Sequence, residues 1–324
     1  MDFTFAVLTY NQENFILQHL ESIKYQIMKF GVDINVNLVV SDDGSKDNTI
    51  FLVEKWTNEN YELFNDIKIL KSTVNQGIVH NYIRLLDNIK TEKFKILAGD
   101  DIYFKNSIFD YCDKTNFIIT PPIFFDEENV VYGDRTQFYE QLYFYAKKKN
   151  VKQKLINRYK FGKCFPFTTP GIIFDKELAG EGLYRAISKN KWIEDIPEWH
   201  YIINEDKTKV TVGTSPVILY RYTQGVSNNV DNPIYREIHN EGEKSLSERA
   251  SRLYKLPKVL NPYAYVYFLK NSFIRNYISN TEIIKSFNCE IKREEDLVNN
   301  YIKFLNKRVV EFCEEIGYDF WITE

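Results

Sequence analysis

The chain has 324 residues, 44% of them hydrophobic and 16% aromatic, too apolar for a disordered segment and long enough for one large domain with an appendage. Lys and Arg number 42 against 45 Asp and Glu, a formal net charge of -3, so no basic excess points to nucleic acid as a partner. Cys112, Cys164, Cys289 and Cys313 lie far apart with no CxxC pair, the usage of reduced thiols in a cytoplasmic protein rather than of zinc ligands or a disulfide framework. No apolar run reaches the roughly 20 residues that cross a bilayer, and the start MDFTFAVLTYNQ lacks the basic region of a signal peptide, so a soluble protein is expected.

Residues 3–9 (FTFAVLT) form an apolar run closed by polar residues, the pattern of a buried strand. Phe15, Leu17, Leu20, Ile23 and Ile27 then predict a helix over 14–30. A strand over 35–41 (NVNLVVS) runs into Asp42-Asp43-Gly44-Ser45, and a helix over 48–58 follows, capped by Asp47 or Asn48. A strand at 67–72, a helix at 77–88 and a strand at 94–98 complete the series, the last ending at Gly99-Asp100-Asp101. Strands and helices alternating at this spacing imply right-handed crossovers and a mostly parallel sheet, whose strand ends converge on one ligand-binding edge.

Beyond residue 117 the rhythm changes. Strands are expected at 117–125, 130–132, 168–174 and 217–222, a basic helix over 137–163, and mainly helical structure from about 233. The expected organisation is a first domain over 1–230 and a helical region over 231–324.

Asp42-Asp43 and Asp100-Asp101 each follow a predicted strand. Two acidic pairs on one sheet edge suit Mg²⁺ or Mn²⁺ held together with a diphosphate, although Asp also caps helices well. The chain has no GxxxxGK[ST] phosphate loop, no GxGxxG after the first strand, no alternating-acid calcium loop and no HExxH among its four histidines.

Thr9-Tyr10-Asn11, Asp42-Asp43-Gly44-Ser45-x-Asp47, Asn75-Gln76-Gly77 and Ala98-Gly99-Asp100-Asp101, in this order within about 100 residues, resemble family 2 glycosyltransferases. The resemblance covers roughly residues 1–225 and implies an α/β GT-A fold, a Rossmann-like mixed sheet flanked by helices. It implies inverting, metal-dependent transfer of a hexosyl or N-acetylhexosaminyl group from a nucleotide sugar, usually UDP-linked, with Mn²⁺ or Mg²⁺ as cofactor. By position, Thr9, Tyr10, Asn11, Asp42 and Asn75 would line the donor site and Asp43 would accept a hydrogen bond from the base. Asp100 would approach the ribose and Asp101 the metal, although adjacent acids here replace the spaced D-x-D common in the family.

The segment 192–199 (WIEDIPEW) resembles the family's acidic motif, which makes Asp195, with Glu194 beside it, the expected general base. Its aromatic flanks would raise the carboxyl pKa by partial desolvation. Upstream, 165–171 (FPFTTPG) would floor the sugar site, Gly171 allowing close backbone approach. Downstream, Tyr220-Arg221-Tyr222 and Gly225-Val226-Ser227 resemble the end of the catalytic domain in capsule-type members, with Arg221 facing the leaving diphosphate or a structural partner.

Two basic stretches stand out, 146–163 with eight Lys and Arg and no acid, and 244–285 with eight Lys and Arg against two Glu, interleaved with aromatics. They suit peripheral contact with an anionic membrane, and hence a lipid-diphosphate-linked acceptor at the inner face of the cell membrane, or else a solvated helix face. A glycan or a protein acceptor fits the same chemistry. Two rivals remain at this point, a non-catalytic nucleotide-sugar-binding module and a nucleotidyltransferase. The latter would carry a Gly-rich basic loop after the first strand, which is missing here.

Overall fold

A computed structural model of the chain describes residues 1–120, 122–125, 151–160, 168–213, 215–221, 234–242, 311–312 and 315. Four strands, β1 (Asp2–Thr9), β2 (Asn35–Asp42), β3 (Asp66–Lys71) and β4 (Lys93–Ala98), form a wholly parallel sheet in the order β3-β2-β1-β4. The crossovers carry α1 (Ile16–Phe30), α2 (Thr49–Glu59) and α3 (Ile78–Asn88). All seven elements expected from periodicity are present, shifted by a residue or two at their ends.

Alternation along the strands divides the core. Phe3, Phe5 and Val7 of β1, with Val36, Leu38 and Val40 of β2, pack against Ile16, Leu20 and Ile23 of α1 and Val53 and Trp56 of α2. Ala6, Leu8 and Val39 face the other way, toward Val79, Tyr82, Leu85 and Leu86 of α3. Both faces are covered, which is why the strands read as nearly continuous apolar runs.

The second half adds β5 (Ile102–Tyr103), β6 (Phe117–Ile119), β7 (Ile123–Phe125), α4 (Val151–Lys160), β8 (Ile172–Phe174), α5 (Glu181–Ile187), α6 (Asp195–Asn204), β9 (Val210–Val212) and β10 (Ile218–Arg221). These strands make two small mixed sheets, β5-β10-β7 and β8-β6-β9. The single strand expected over 117–125 is thus two strands in different sheets. Proline supplies no N–H to a ladder, and the Pro121-Pro122 pair interrupts the run. Likewise 168–174 opens with a 3₁₀ turn, Thr169–Gly171, around Pro170 before β8 begins.

The residues described beyond 230 touch the rest of the chain at two places. Phe312 packs edge-on against Tyr25 and Phe104 at ring separations of 4.9 and 5.3 Å. A helical stretch over 235–242 reaches the segment before α6. The expected strand at 130–132, the flanks of the basic helix, residues 165–167, Tyr222, Gly225-Val226-Ser227, the basic stretch 244–285 and most of the helical region 231–324 lie outside the described residues. No helix among the described residues is long and apolar enough to cross a membrane.

Candidate active site

The carboxyl ends of β1 and β2 are stitched together by side chains from both loops. The Asn11 N–H donates to Ser45 Oγ at 2.8 Å, and Lys46 N–H returns a bond to Asn11 Oδ1 at 2.8 Å. Gln12 N–H reaches Thr49 Oγ1 at 2.7 Å, Glu13 N–H reaches Asp47 Oδ2 at 3.1 Å, and Asn48 N–H bonds Glu13 Oε2 at 2.9 Å. Asp47, not Asn48, supplies the side-chain cap of α2, accepting from Thr49 N–H at 3.0 Å. Asn11 holds a positive φ of 50°, tolerated because its short polar side chain bonds locally.

Asp42 and Asp43 divide their work. Asp42 closes its own turn, accepting Gly44 N–H at 3.0 Å and Ser45 N–H at 2.9 Å, together with the Ser45 hydroxyl. Asp43 reaches across to the loop before α3, accepting Gln76 N–H at 2.9 Å and Gly77 N–H at 2.8 Å. Asn75 Oδ1 shares the Gly77 N–H at 3.0 Å. Gly77 itself sits at φ 94°, a conformation that an L side chain rarely adopts. Burial raises the Asp43 carboxyl, opposed by these two N–H groups and by Arg84. Thr9 is 2% exposed, its Oγ1 without a protein partner, whereas Tyr10 is 39% exposed on the rim.

The turn after β4 holds the second pair. Asp100 is half-buried and Asp101 is 2% exposed. Burial pushes Asp101 well above the usual carboxylate range, and the adjacent Asp100 adds to the rise. Asp101 Oδ1 accepts the Arg221 N–H at 2.9 Å, and its carbonyl accepts His19 Nδ1–H at 2.7 Å, which fixes that tautomer because a carbonyl only accepts. Burial lowers His19 to about 4, so it is neutral. Arg221 does not stand open to a diphosphate. Its guanidinium lies between the rings of Phe15 and Phe125 at 4.4 and 4.5 Å and donates to the Asp100 carbonyl at 2.9 Å and Gln18 Oε1 at 2.7 Å. That geometry clamps the acidic turn.

Farther along the chain, α6 begins at Asp195 with three acids in its first turn and cap, Glu194, Asp195 and Glu198. Burial raises Asp195 to about 6 and Glu198 to about 8, and lifts Glu194 well above its ordinary range with Asp195 adding repulsion. The preceding loop rests on the start of α3: Val79 N–H meets the Lys191 carbonyl at 3.4 Å, and a Cβ on Gly77 would lie 2.9 Å from the same oxygen. The Glu194-Asp195 turn therefore shares the carboxyl edge of the sheet with the loop that Asp43 holds. At Gly171 the chain itself leaves no room for a side chain. A Cβ there would stand 2.3 Å from the Thr120 carbonyl, so the close approach is between two segments of the chain itself.

No three His, Cys, Asp or Glu side chains converge on one point among the described residues. Asp100 and Asp101 fit a hard divalent cation nonetheless, because such ions take one or two carboxylates and complete their shell with phosphate oxygens and water. A cation there would also relieve the repulsion that raises Asp101.

The profile of Glycosyl transferase family 2 matches residues 4–183, more than half of the 324 residues. The chain belongs to this family. It is 24% identical over 294 residues to dTDP-rhamnosyl transferase RfbG of Shigella flexneri, covering 86% of this chain and 92% of that protein. It is 25% identical over 211 residues to the minor teichoic acid biosynthesis protein GgaA of Bacillus subtilis, covering 59% of this chain and 46% of GgaA. Among solved structures, S. aureus TarS in complex with UDP-GlcNAc superposes with a TM-score of 0.50 at 16% identity, over 85% of this chain and 78% of that one. A longer TarS structure, of which this chain spans 37%, gives a TM-score of 0.50 at 20% identity. The fold is thus the GT-A arrangement that the motifs imply, and the chain is a glycosyltransferase.

Three residues of this glycosyltransferase edge escaped the sequence reading: Lys95, Tyr82 and Glu198. Glu198 is signalled by spacing, since positions three and four beyond Asp195 and Glu194 share a helix face. Lys95 carries a weaker signal, a cation set between Phe94 and Ile96 in the strand KFKILA.

Proposed function

We propose that the chain transfers a sugar, with inversion, from a UDP- or dTDP-linked donor to a hydroxyl of a growing cell-surface glycan, with Asp195 as general base. The observation that carries this reading is Asp195 itself, a carboxylate on the shared edge whose burial brings it near 6. A base poised near the working pH is present in its ionised form and still draws a proton strongly. In the transfer, the acceptor hydroxyl gives its proton to Asp195 as its oxygen bonds C1, and the bond from C1 to the diphosphate oxygen breaks.

On the donor side, Thr9 Oγ1 and the rim residue Tyr10 would meet the nucleoside, and the lone pairs left on Asp43 would accept the N–H of a pyrimidine base. Asn11, Asp42 and Asn75 hold the loops that frame it. Asp100, the more accessible acid of its pair, is the better candidate for Mn²⁺ or Mg²⁺, with Asp101 in support. When bound, the ion would neutralise charge on the leaving diphosphate. Arg221 then acts as a positioning residue for this turn.

The names of the relatives support the donor and acceptor classes: RfbG is a dTDP-rhamnosyl transferase, GgaA serves teichoic acid biosynthesis, and TarS was solved with UDP-GlcNAc. A lipid-diphosphate-linked acceptor at the membrane face, met by the basic stretches, and a helical region beyond 230 that flanks the catalytic domain belong to the same reading. Incubation with a panel of UDP- and dTDP-sugars and Mn²⁺ tests it. Metal-dependent nucleotide release is the expected result. Release from none of them would favour a binding module, and pyrophosphate release from a nucleoside triphosphate would favour a nucleotidyltransferase.

A further inference from the structure

Beneath the acidic edge lies a buried lysine that the mechanism above does not use. Lys95, in the middle of β4, is 2% exposed, and its Nζ donates to the Ile172 carbonyl at 2.8 Å and the Thr169 carbonyl at 3.3 Å. An ammonium has three donors, so one remains beyond these two bonds. Glu198, one turn into α6, is 1% exposed; its Oε1 accepts the Tyr82 hydroxyl at 2.5 Å, and its Oε2 has no protein partner. A cavity of about 10 Å³ lies between them, lined by Lys95, Glu198, Tyr82 and Thr169 with apolar residues around. That volume is about one water molecule, and a buried water needs two or more polar partners. The remaining proton of Lys95 and the open oxygen of Glu198 supply them.

We propose that Lys95, Glu198 and Tyr82 form a buried clasp, closed by one internal water, that fixes the Glu194-Asp195 turn of α6 against the strand leading to Asp100-Asp101. The inference rests on the reading of Asp195 as base. Lys95 sits on the strand that ends at the acidic turn, Glu198 on the first turn of the helix that opens at the base, and Tyr82 on α3 between them. Lys95 and Glu198 are positioning residues, since neither reaches the surface of the cleft. A buried polar link is also a device for registering two elements, because an alternative packing would leave its donors and acceptors without partners. Burial lowers Lys95 to about 7, a fall that the neighbouring Asp101 and Glu198 oppose.

The test has an arm that needs no donor. A high-resolution crystal structure of the unliganded wild-type chain should contain a water bonded to Lys95 Nζ and Glu198 Oε2; its absence overturns the clasp. The kinetic arm compares Glu198→Gln, Lys95→Met, their double variant and Asp195→Asn, using whichever of UDP-GlcNAc or dTDP-rhamnose releases nucleotide, with UDP affinity and Tm measured in parallel. Misplacing a catalytic group by about 1 Å costs on the order of 100-fold, so each single variant should lose about 10- to 100-fold in kcat with UDP affinity unchanged. The double variant should recover Tm, because neither member is then left facing a missing partner, without recovering kcat. Recovery of kcat along with Tm would reduce the clasp to packing. A wild-type kcat in Glu198→Gln beside an inert Asp195→Asn removes this inference alone, whereas an active Asp195→Asn removes the base and the clasp with it.

Discussion

On the edge built by β1, β2 and α3, Asp42 and Asp43 accept five hydrogen bonds from Gly44, Ser45, Gln76 and Gly77. On α6, Glu198 has an oxygen without a protein partner, and Glu194, Asp195 and Glu198 are all raised by burial. One side spends its carboxylates on holding loops. The other keeps carboxylates that its surroundings do not fully compensate, which is the condition under which an acid near neutral pH can take up a proton. Burial raises Asp43 as well, against the N–H groups of Gln76 and Gly77, so the two sides differ in how many donors answer each carboxylate and not in burial alone.

The sharpest break in this contrast is Asp195→Asn, which keeps size and removes the proton acceptor. Transfer should fall by about 10² to 10⁴-fold with UDP affinity near wild type. The same substitution in place of Glu194 should cost less; a dead Glu194→Gln beside a working Asp195→Asn would move the base by one residue. Next is the metal. Loss of several kcal/mol of charge stabilisation predicts a drop of about 100-fold or more in EDTA, and Asp100→Ala should weaken Mn²⁺-dependent UDP binding more than Asp101→Ala does. Full turnover in chelator would rule out the cation.

Asp42→Ala addresses the opposite edge. Hydrogen bonds to a charged group contribute about 1.5–3 kcal/mol, so this variant should unfold at lower denaturant with about that loss, while Asp195→Asn should not. The pH dependence separates the edges again. Because the folded Asp195 lies near 6 and an ordinary Asp near 4, the folded chain holds this proton more tightly. Its stabilising contribution is present below about 4 and is lost as pH rises through about 6, whereas activity needs the ionised form and should fall about tenfold between the plateau and pH 5. Thermal melts and rate profiles measured on the same buffers should therefore run in opposite directions, and the Asp195 part of each dependence should be missing in Asp195→Asn. The smallest effect concerns the basic stretch 244–285: sedimentation with anionic vesicles should fade between low and physiological salt, where the Debye length is about 8 Å, and equal binding to neutral vesicles would argue against it.

Length, alternation of strand and helix, and the polar residues closing each strand were enough to determine the α/β class, the parallel sheet and the edge on which its polar loops converge. Those signals are local, and apolar periods of two and of 3.6 are written into any window of the chain. The same reading named both acidic pairs, Asn75 and the Glu194-Asp195 turn. Only the tertiary structure decided what each acid does, because that depends on donors from distant segments: Gln76 and Gly77 for Asp43, the Arg221 N–H for Asp101. It also decided for Arg221 in favour of a structural partner, split 117–125 at its prolines between two sheets, and showed the Thr120 carbonyl closing on Gly171. Lys95 and Glu198 are 103 positions apart in sequence and come to line one cavity only when β4, α3 and α6 pack together, and no pattern within either segment states that distance.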